Sequence, residues 1–332
     1  EYLPQITPWL MRFWRAGWPD RVAASLKAQS AMMRVARTEA ESMIAAARLD
    51  HLIRRDGVLE LYESEAELRG TAKDDAAKAA EGIEFRHVRG DELAELQPGL
   101  SPRIVCGTYI PKWQTVSDPY DYAIAVSKAA IERGASFRKG EVVQLRPHDD
   151  GVIIEFSDGS AQRAKQAVVA GGAWSKRLTD PLGDDIPLET ERGYNTTLPG
   201  YSFDVRRQLV FAGHGFVVTP LESGIRVGGA VELGGLNLPP NFARADAMLQ
   251  KAARFMPGLV TTGGKQWMGF RPSLPDSLPA IGYSRRSQDI VYAFGHGHLG
   301  LTQSAGTGKL VANLLAHLPQ PIDLTPFSPQ RF

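Results

Sequence analysis

Residues 289–315 constrain the fold more than any other stretch of the sequence. An apolar run at 289–294 leads into Gly295-His296-Gly297-His298-Leu299-Gly300, and a helical pattern follows at about 303–315. The spelling is G-x-G-x-x-G between a strand and a helix, as in loops that cradle a dinucleotide pyrophosphate. Such a unit needs a further strand ending in an acidic residue about 20 positions on. Here Leu318-Pro319-Gln320-Pro321 stops the helix and only a short tail remains, so the motif is not a dinucleotide fingerprint. A phosphate loop is excluded as well. Gln303 stands where its first glycine should be, and Leu310 follows Gly308-Lys309 where Ser or Thr should be. What survives is physical: glycines let a flat or phosphorylated ligand approach the backbone, and a helix start offers free N–H donors. By itself, a glycine turn with no ligand fits equally well.

The rest of the chain mixes two kinds of strand pattern. Residues 165–170 form a nearly continuous apolar run that ends at Gly171-Gly172, which reads as a buried strand of a parallel sheet. Between 186 and 229 the runs at 194–198, 215–219 and 224–228 alternate with period two, as half-solvated antiparallel strands do. Further strands are expected at 58–62, 104–110, 135–139, 141–146, 151–156 and 289–294. Helical spacing covers 8–15 and 19–47, with Asp20 as N-cap of the second, then 65–80, 118–134 and 244–256. Asp118-Pro119 opens the helix at 118–134 as a cap followed by a first-turn proline, and Arg133-Gly134 ends it. This combination predicts a mixed α/β chain of two interleaved domains, a cofactor-type α/β layer and an antiparallel platform over it.

Composition removes several function classes. Net charge is +1 and there is no Lys/Arg run, so no nucleic-acid footprint exists. Cys106 is the only cysteine, which excludes an intrachain disulfide and a cysteine-based metal site and fits a reducing, cytoplasmic setting. No run reaches the roughly 18 apolar residues of a membrane span, which leaves peripheral attachment to an inner membrane open.

The glycine turn has company. Trp267-Met268-Gly269-Phe270-Arg271-Pro272, Pro275-Asp276 and Pro279-Ala280-Ile281-Gly282 precede it. Ala170-Gly171-Gly172-Ala173-Trp174-Ser175, Arg192-Gly193-Tyr194 and Ile225-Arg226-Val227-Gly228-Gly229 lie upstream. In this order the landmarks resemble the D-amino-acid oxidase superfamily, most like its bacterial D-amino-acid dehydrogenase and glycine oxidase branch. The resemblance implies FAD as cofactor and an interleaved fold. Residues 1–50, 116–185 and 276–332 would belong to the FAD-binding domain, and 51–115 and 186–275 to the substrate-binding domain. The family opens with a βαβ unit carrying the true glycine fingerprint, which is not found here. The expectation is therefore a chain that starts after that unit and binds FAD weakly or not at all on its own. Either the unit is a separate piece, so that a complementary N-terminal polypeptide or another subunit is the partner, or it was lost by proteolysis or disorder.

The resemblance also implies roles. Arg271 would receive the substrate carboxylate, since a guanidinium fork matches it bidentately. Hydride would leave the α-carbon of a D-amino acid or related amino acid for FAD, and the imine would hydrolyse to a keto acid. Tyr194 and His214 are expected in the pocket lining, near where the family often has a tyrosine. Gly295, His296, Gly297, His298, Leu299, Gly300, Leu301 and Thr302 would lie at the isoalloxazine. Gly171, Gly172 and Trp174 would close on the pyrophosphate side, with Val142 and Val143 against the adenine. The alternative is a cofactor-free scaffold subunit of a hetero-oligomeric amine oxidase or dehydrogenase.

Overall fold

Two β-systems share the chain, and the computed structural model describes residues 2–332 of it. The larger is an eight-stranded sheet. Its order is Lys265–Ser273, Glu189–Leu198, Gly224–Leu233, Phe216–Leu221, Gln208–Phe211, Val58–Tyr62, Cys106–Ile110 and Arg86–Arg89. Every neighbouring pair is antiparallel except Val58–Tyr62 beside Gln208–Phe211. Period-two alternation gives this sheet two unlike faces. One face, here the back, buries Leu198, Leu209, Phe211, Phe216, Val218 and Val227 against the helix Ala243–Phe255. The other, the front, carries Glu191, Gly193, Trp267, Gly269 and Arg271.

The smaller system is layered. Ile290–Phe294 forms the middle strand, antiparallel to Ala280–Tyr283 and parallel to Ala167–Val169. On one side, Ala28, Met32, Val291, Leu310 and Val311 join the helices Pro19–Ala46 and Gly300–Leu315 to the sheet. Gly306 lets these two helices touch, because a Cβ there would come within 2.9 Å of Ala36 backbone atoms. On the other side Leu145, Val152, Tyr292 and Phe294 bury a three-stranded meander, Val142–His148, Gly151–Phe156 and Ala161–Ala164. The expected mixture of parallel and antiparallel pairing is present.

Several local expectations change. Residues 165–170 shrink to the edge strand Ala167–Val169, whose Val168 stays 41% exposed because none of the described residues covers that side of it. Residues 135–139 form no strand, and the unforeseen Ala161–Ala164 completes the meander instead. The helix expected at 65–80 breaks at Gly70-Thr71 into Glu65–Gly70 and Ala72–Ala80. Asp20 is no cap: Trp18 holds that position, and Asp20 accepts hydrogen bonds from Arg15 at 2.9 and 3.1 Å. Asp118 does cap its helix, accepting from the Tyr120 amide at 2.8 Å.

Candidate functional site

The strand that carries Arg271 is sewn to the glycine turn. The Gly297 amide donates to the Pro272 carbonyl at 2.7 Å, and Ser273 bridges to His296. Gly295 and Gly297 have φ of 87° and 55°, left-handed values that a side chain would strain. The helix that follows begins at Gly300, earlier than its spacing suggests, and has no side-chain cap and no acidic residue in its first turn. Its free amides and the positive end of its dipole are therefore left to whatever lies beside the turn.

Beside the turn is a cavity of about 800 Å³, bordered by Phe13, Trp14, Trp18, Glu191, Ser273 and His296 among others. Gln29 also borders it, and its buried Oε1 has no hydrogen-bond partner. His296 holds the Thr307 hydroxyl at 2.9 Å through Nε2. Burial drops the His296 pKa to about 4, so its imidazole is neutral at pH 7 with its second nitrogen free to donate or accept. A smaller hollow of about 480 Å³, around Tyr283, Arg285 and Arg286, sits at the opposite end of the strand Ile290–Phe294.

Arg271 stands just outside the cavity lining, cross-strand from Glu191, which is part of it. Its guanidinium lies over Gly193, so closely that a methyl group there would overlap it. Trp267 covers Gly269 in the same way and is 60% exposed. Gly193 and Gly269 are themselves cross-strand partners, and this pair of bare backbones forms the floor on which both side chains lie. Among the described residues the Arg271 guanidinium has no hydrogen bond and no ion pair. Burial pulls its pKa below the ordinary arginine value and Glu191 pushes it back up. The result is a partly desolvated cation with its donors free, as a carboxylate receptor requires.

Tyr194 and His214 do not join it. Tyr194 is 1% exposed on the back face, where its hydroxyl donates to Glu232 at 2.5 Å and accepts from the Asn241 amide at 3.0 Å. His214 contacts the Glu63 carboxylate at 2.7 Å and packs on Phe255, also at the back. The lining role expected of both is corrected: strand alternation sends Tyr194 away from Arg271, and His214 follows the back-face core. His298, Leu301 and Thr302 are exposed at the turn and the helix start, and His296, Gly297, Leu299 and Gly300 are half-buried around them. Gly171 and Gly172 lead into a single turn that sets Trp174 edge-on to Phe270 at 5.5 Å. A bulge between Val142 and Gln144 leaves Val143 outside the ladder and 47% exposed, while Val142 packs inward. Glu191 escaped the sequence reading. Its alternation with Arg192 could have placed it on the face of Gly193, but not beside Arg271.

Known proteins resemble this chain in sequence and in fold. A family model described as FAD dependent oxidoreductase, DAO, matches residues 5–314. A D-amino-acid oxidase of Bradyrhizobium diazoefficiens is 35% identical over 340 residues, covering 100% of this chain and 80% of that protein. A D-amino acid dehydrogenase of Xylella fastidiosa is 30% identical over 321 residues, covering 94% of this chain and 73% of that protein. Among solved structures, glycine oxidase from Geobacillus kaustophilus shares the fold with a TM-score of 0.79 at 23% identity, over 92% of this chain and 82% of that one. Iminodiacetate oxidase from Chelativorans sp. BNC1 gives 0.77 at 25% identity, over 89% and 82%.

Proposed function

The chain belongs to the DAO family of FAD-dependent oxidoreductases, and on that premise we propose that it oxidises an amino acid, D-amino acids foremost, with Arg271 holding the carboxylate. The observation that carries the proposal is the unpaired, partly buried guanidinium on a strand whose end is hydrogen-bonded to the glycine turn. The relatives named for D-amino acids supply the substrate class.

The residues present fit the cofactor. A Cβ at Gly297 or Gly300 would meet nothing closer than 3.7 Å, so a flat ring can rest against bare backbone there. The uncapped helix start adds free amide donors, and Gln29 Oε1 is a buried, unpartnered polar atom on a residue of the largely apolar cavity wall. Gly295 through Thr302 would hold the isoalloxazine end. Gly171, Gly172 and Trp174 would hold the phosphate side, and the free backbone of Val143 beside Val142 the adenine. FAD, when bound, accepts the α-hydrogen together with its electron pair.

The chain's own groups do the positioning. Arg271 fixes the carboxylate through two parallel N–H donors and thereby orients the α-carbon toward the turn. The neutral His296 offers one ring nitrogen to the cavity without placing a second cation there. Phe13, Trp14 and Trp18 give the cavity an apolar border and are themselves exposed. The bound ammonium must lose one proton, to water, before the α-hydrogen leaves, so that the electron pair can assist; the imine product then takes up water to give a keto acid and ammonia.

The test is anaerobic titration of the FAD-loaded polypeptide carrying this chain with D- and L-amino acids, read in the visible spectrum. Bleaching of the flavin band by D-amino acids, with the keto acid as product, is the expected result. A band that no amino acid bleaches would sink the proposal.

A further inference from the structure

Glu191 is a charged side chain on the cavity wall that lacks a partner of its own. Among the described residues it takes part in no hydrogen bond and no ion pair. Glu189, two residues earlier on the same face, is already engaged by the Tyr2 hydroxyl at 2.6 Å. Glu191 pairs in register with Arg271 across the strands, and opposite charges in that relation ordinarily close on each other. Here they stay apart because the guanidinium lies over Gly193, one strand position pair further along. Along the front face the order is then the glycine turn, tied to Pro272 and Ser273, next Glu191, which shares the cavity wall with Ser273 and His296, and beyond it the guanidinium over Gly193.

We propose that Glu191 receives the ammonium group of the substrate while Arg271 receives its carboxylate. The two strands together form a receptor for the zwitterionic end of an amino acid. Glu191 is thus a specificity-determining residue for the proposed reaction, and the assignment rests on that reading of the site. The charge order matches the molecule: a carboxylate on the far guanidinium brings the α-amine back toward the turn, level with Glu191. The same carboxylate sets a limit on the substrate. A second anionic group, as in aspartate, glutamate or an iminodiacid, meets a like charge at a half-buried position and is disfavoured.

The test separates binding from turnover. 2-Aminoisobutyrate has no α-hydrogen and is not oxidised, and isobutyrate is the same molecule without the amine. The FAD-loaded protein should bind the first roughly tenfold more tightly than the second, a charge-assisted hydrogen bond's worth. In Glu191→Gln that preference should vanish, and in Glu191→Asp part of it should return. In Glu191→Gln the kcat/KM ratio of D-aspartate to D-alanine should also rise roughly tenfold. A wild-type preference that persists unchanged in Glu191→Gln, in a protein whose flavin D-alanine still bleaches, overturns the assignment while leaving the proposed function standing. A wild-type flavin that no amino acid bleaches removes both.

Discussion

Two arginines on adjacent strands of one sheet show how differently a buried cation can be treated. Arg192, on the back face, is fully buried and donates to the carbonyls of Gly235, Pro239 and Leu238 at 2.7, 3.2 and 2.6 Å. Glu232 lies 3.6 Å from it, and Phe270 sits beneath it. Each of its three side-chain nitrogens donates inside the protein. Arg271, on the front face, spends none of its own, although burial makes its charge costly. The same division runs through their neighbours. Tyr194 at the back is satisfied twice over, whereas Glu191 at the front has no partner. A satisfied charge builds the fold; an unsatisfied one at a cavity is kept for something that arrives.

The comparison can be broken from the back first. Arg192→Met should strip three carbonyls and Glu232 of their partner and lower stability by about 3–5 kcal/mol in urea unfolding. A loss below roughly 1 kcal/mol would mean that the back face is not built as described. On the front, Gly193→Ala should push the Arg271 guanidinium off its floor. The expected result is a KM rise of about tenfold with little change in melting temperature, since the residue needs no left-handed backbone. An unchanged KM would place the working position of the guanidinium elsewhere. The smallest effect belongs to Tyr194→Phe, which loses the hydroxyl's bonds to Glu232 and Asn241 and should cost about 1 kcal/mol of stability. Its KM should not move, and a rise would bring Tyr194 back into the site.

The sharp division between faces was only half legible in the sequence. Glycines at 295, 297 and 300, the Asp118 cap and the alternation through 194–198 act locally, so their chemistry can be read residue by residue. The turn in particular kept its place between strand and helix, although its spelling suggests a different motif. Alternation also shows that Glu191 and Gly193 face one way and Arg192 and Tyr194 the other. It does not show which way is the core. That choice is made by the helix Ala243–Phe255, whose Met248, Ala252 and Phe255 cover the face of Tyr194 and leave Arg271 open. His214 belongs to the same lesson, since its partner Glu63 comes from 151 positions away in the chain. Register is the other missing quantity, because only the pairing of Glu189–Leu198 with Lys265–Ser273 sets Glu191 beside Arg271. Apolarity alone likewise overstated residues 165–170, where Val168 lies on an uncovered side.

The central claim is that Arg271 is held unpaired for a carboxylate, and Arg271→Leu tests it in one binding experiment. Isobutyrate binding to the FAD-loaded variant should weaken by about a hundredfold, the loss of a bidentate charge-assisted pair. Bound flavin and melting temperature should stay level or rise, because a desolvated charge without partners has been removed. Unchanged isobutyrate affinity, or a variant that unfolds as Arg192→Met is expected to, would contradict the account.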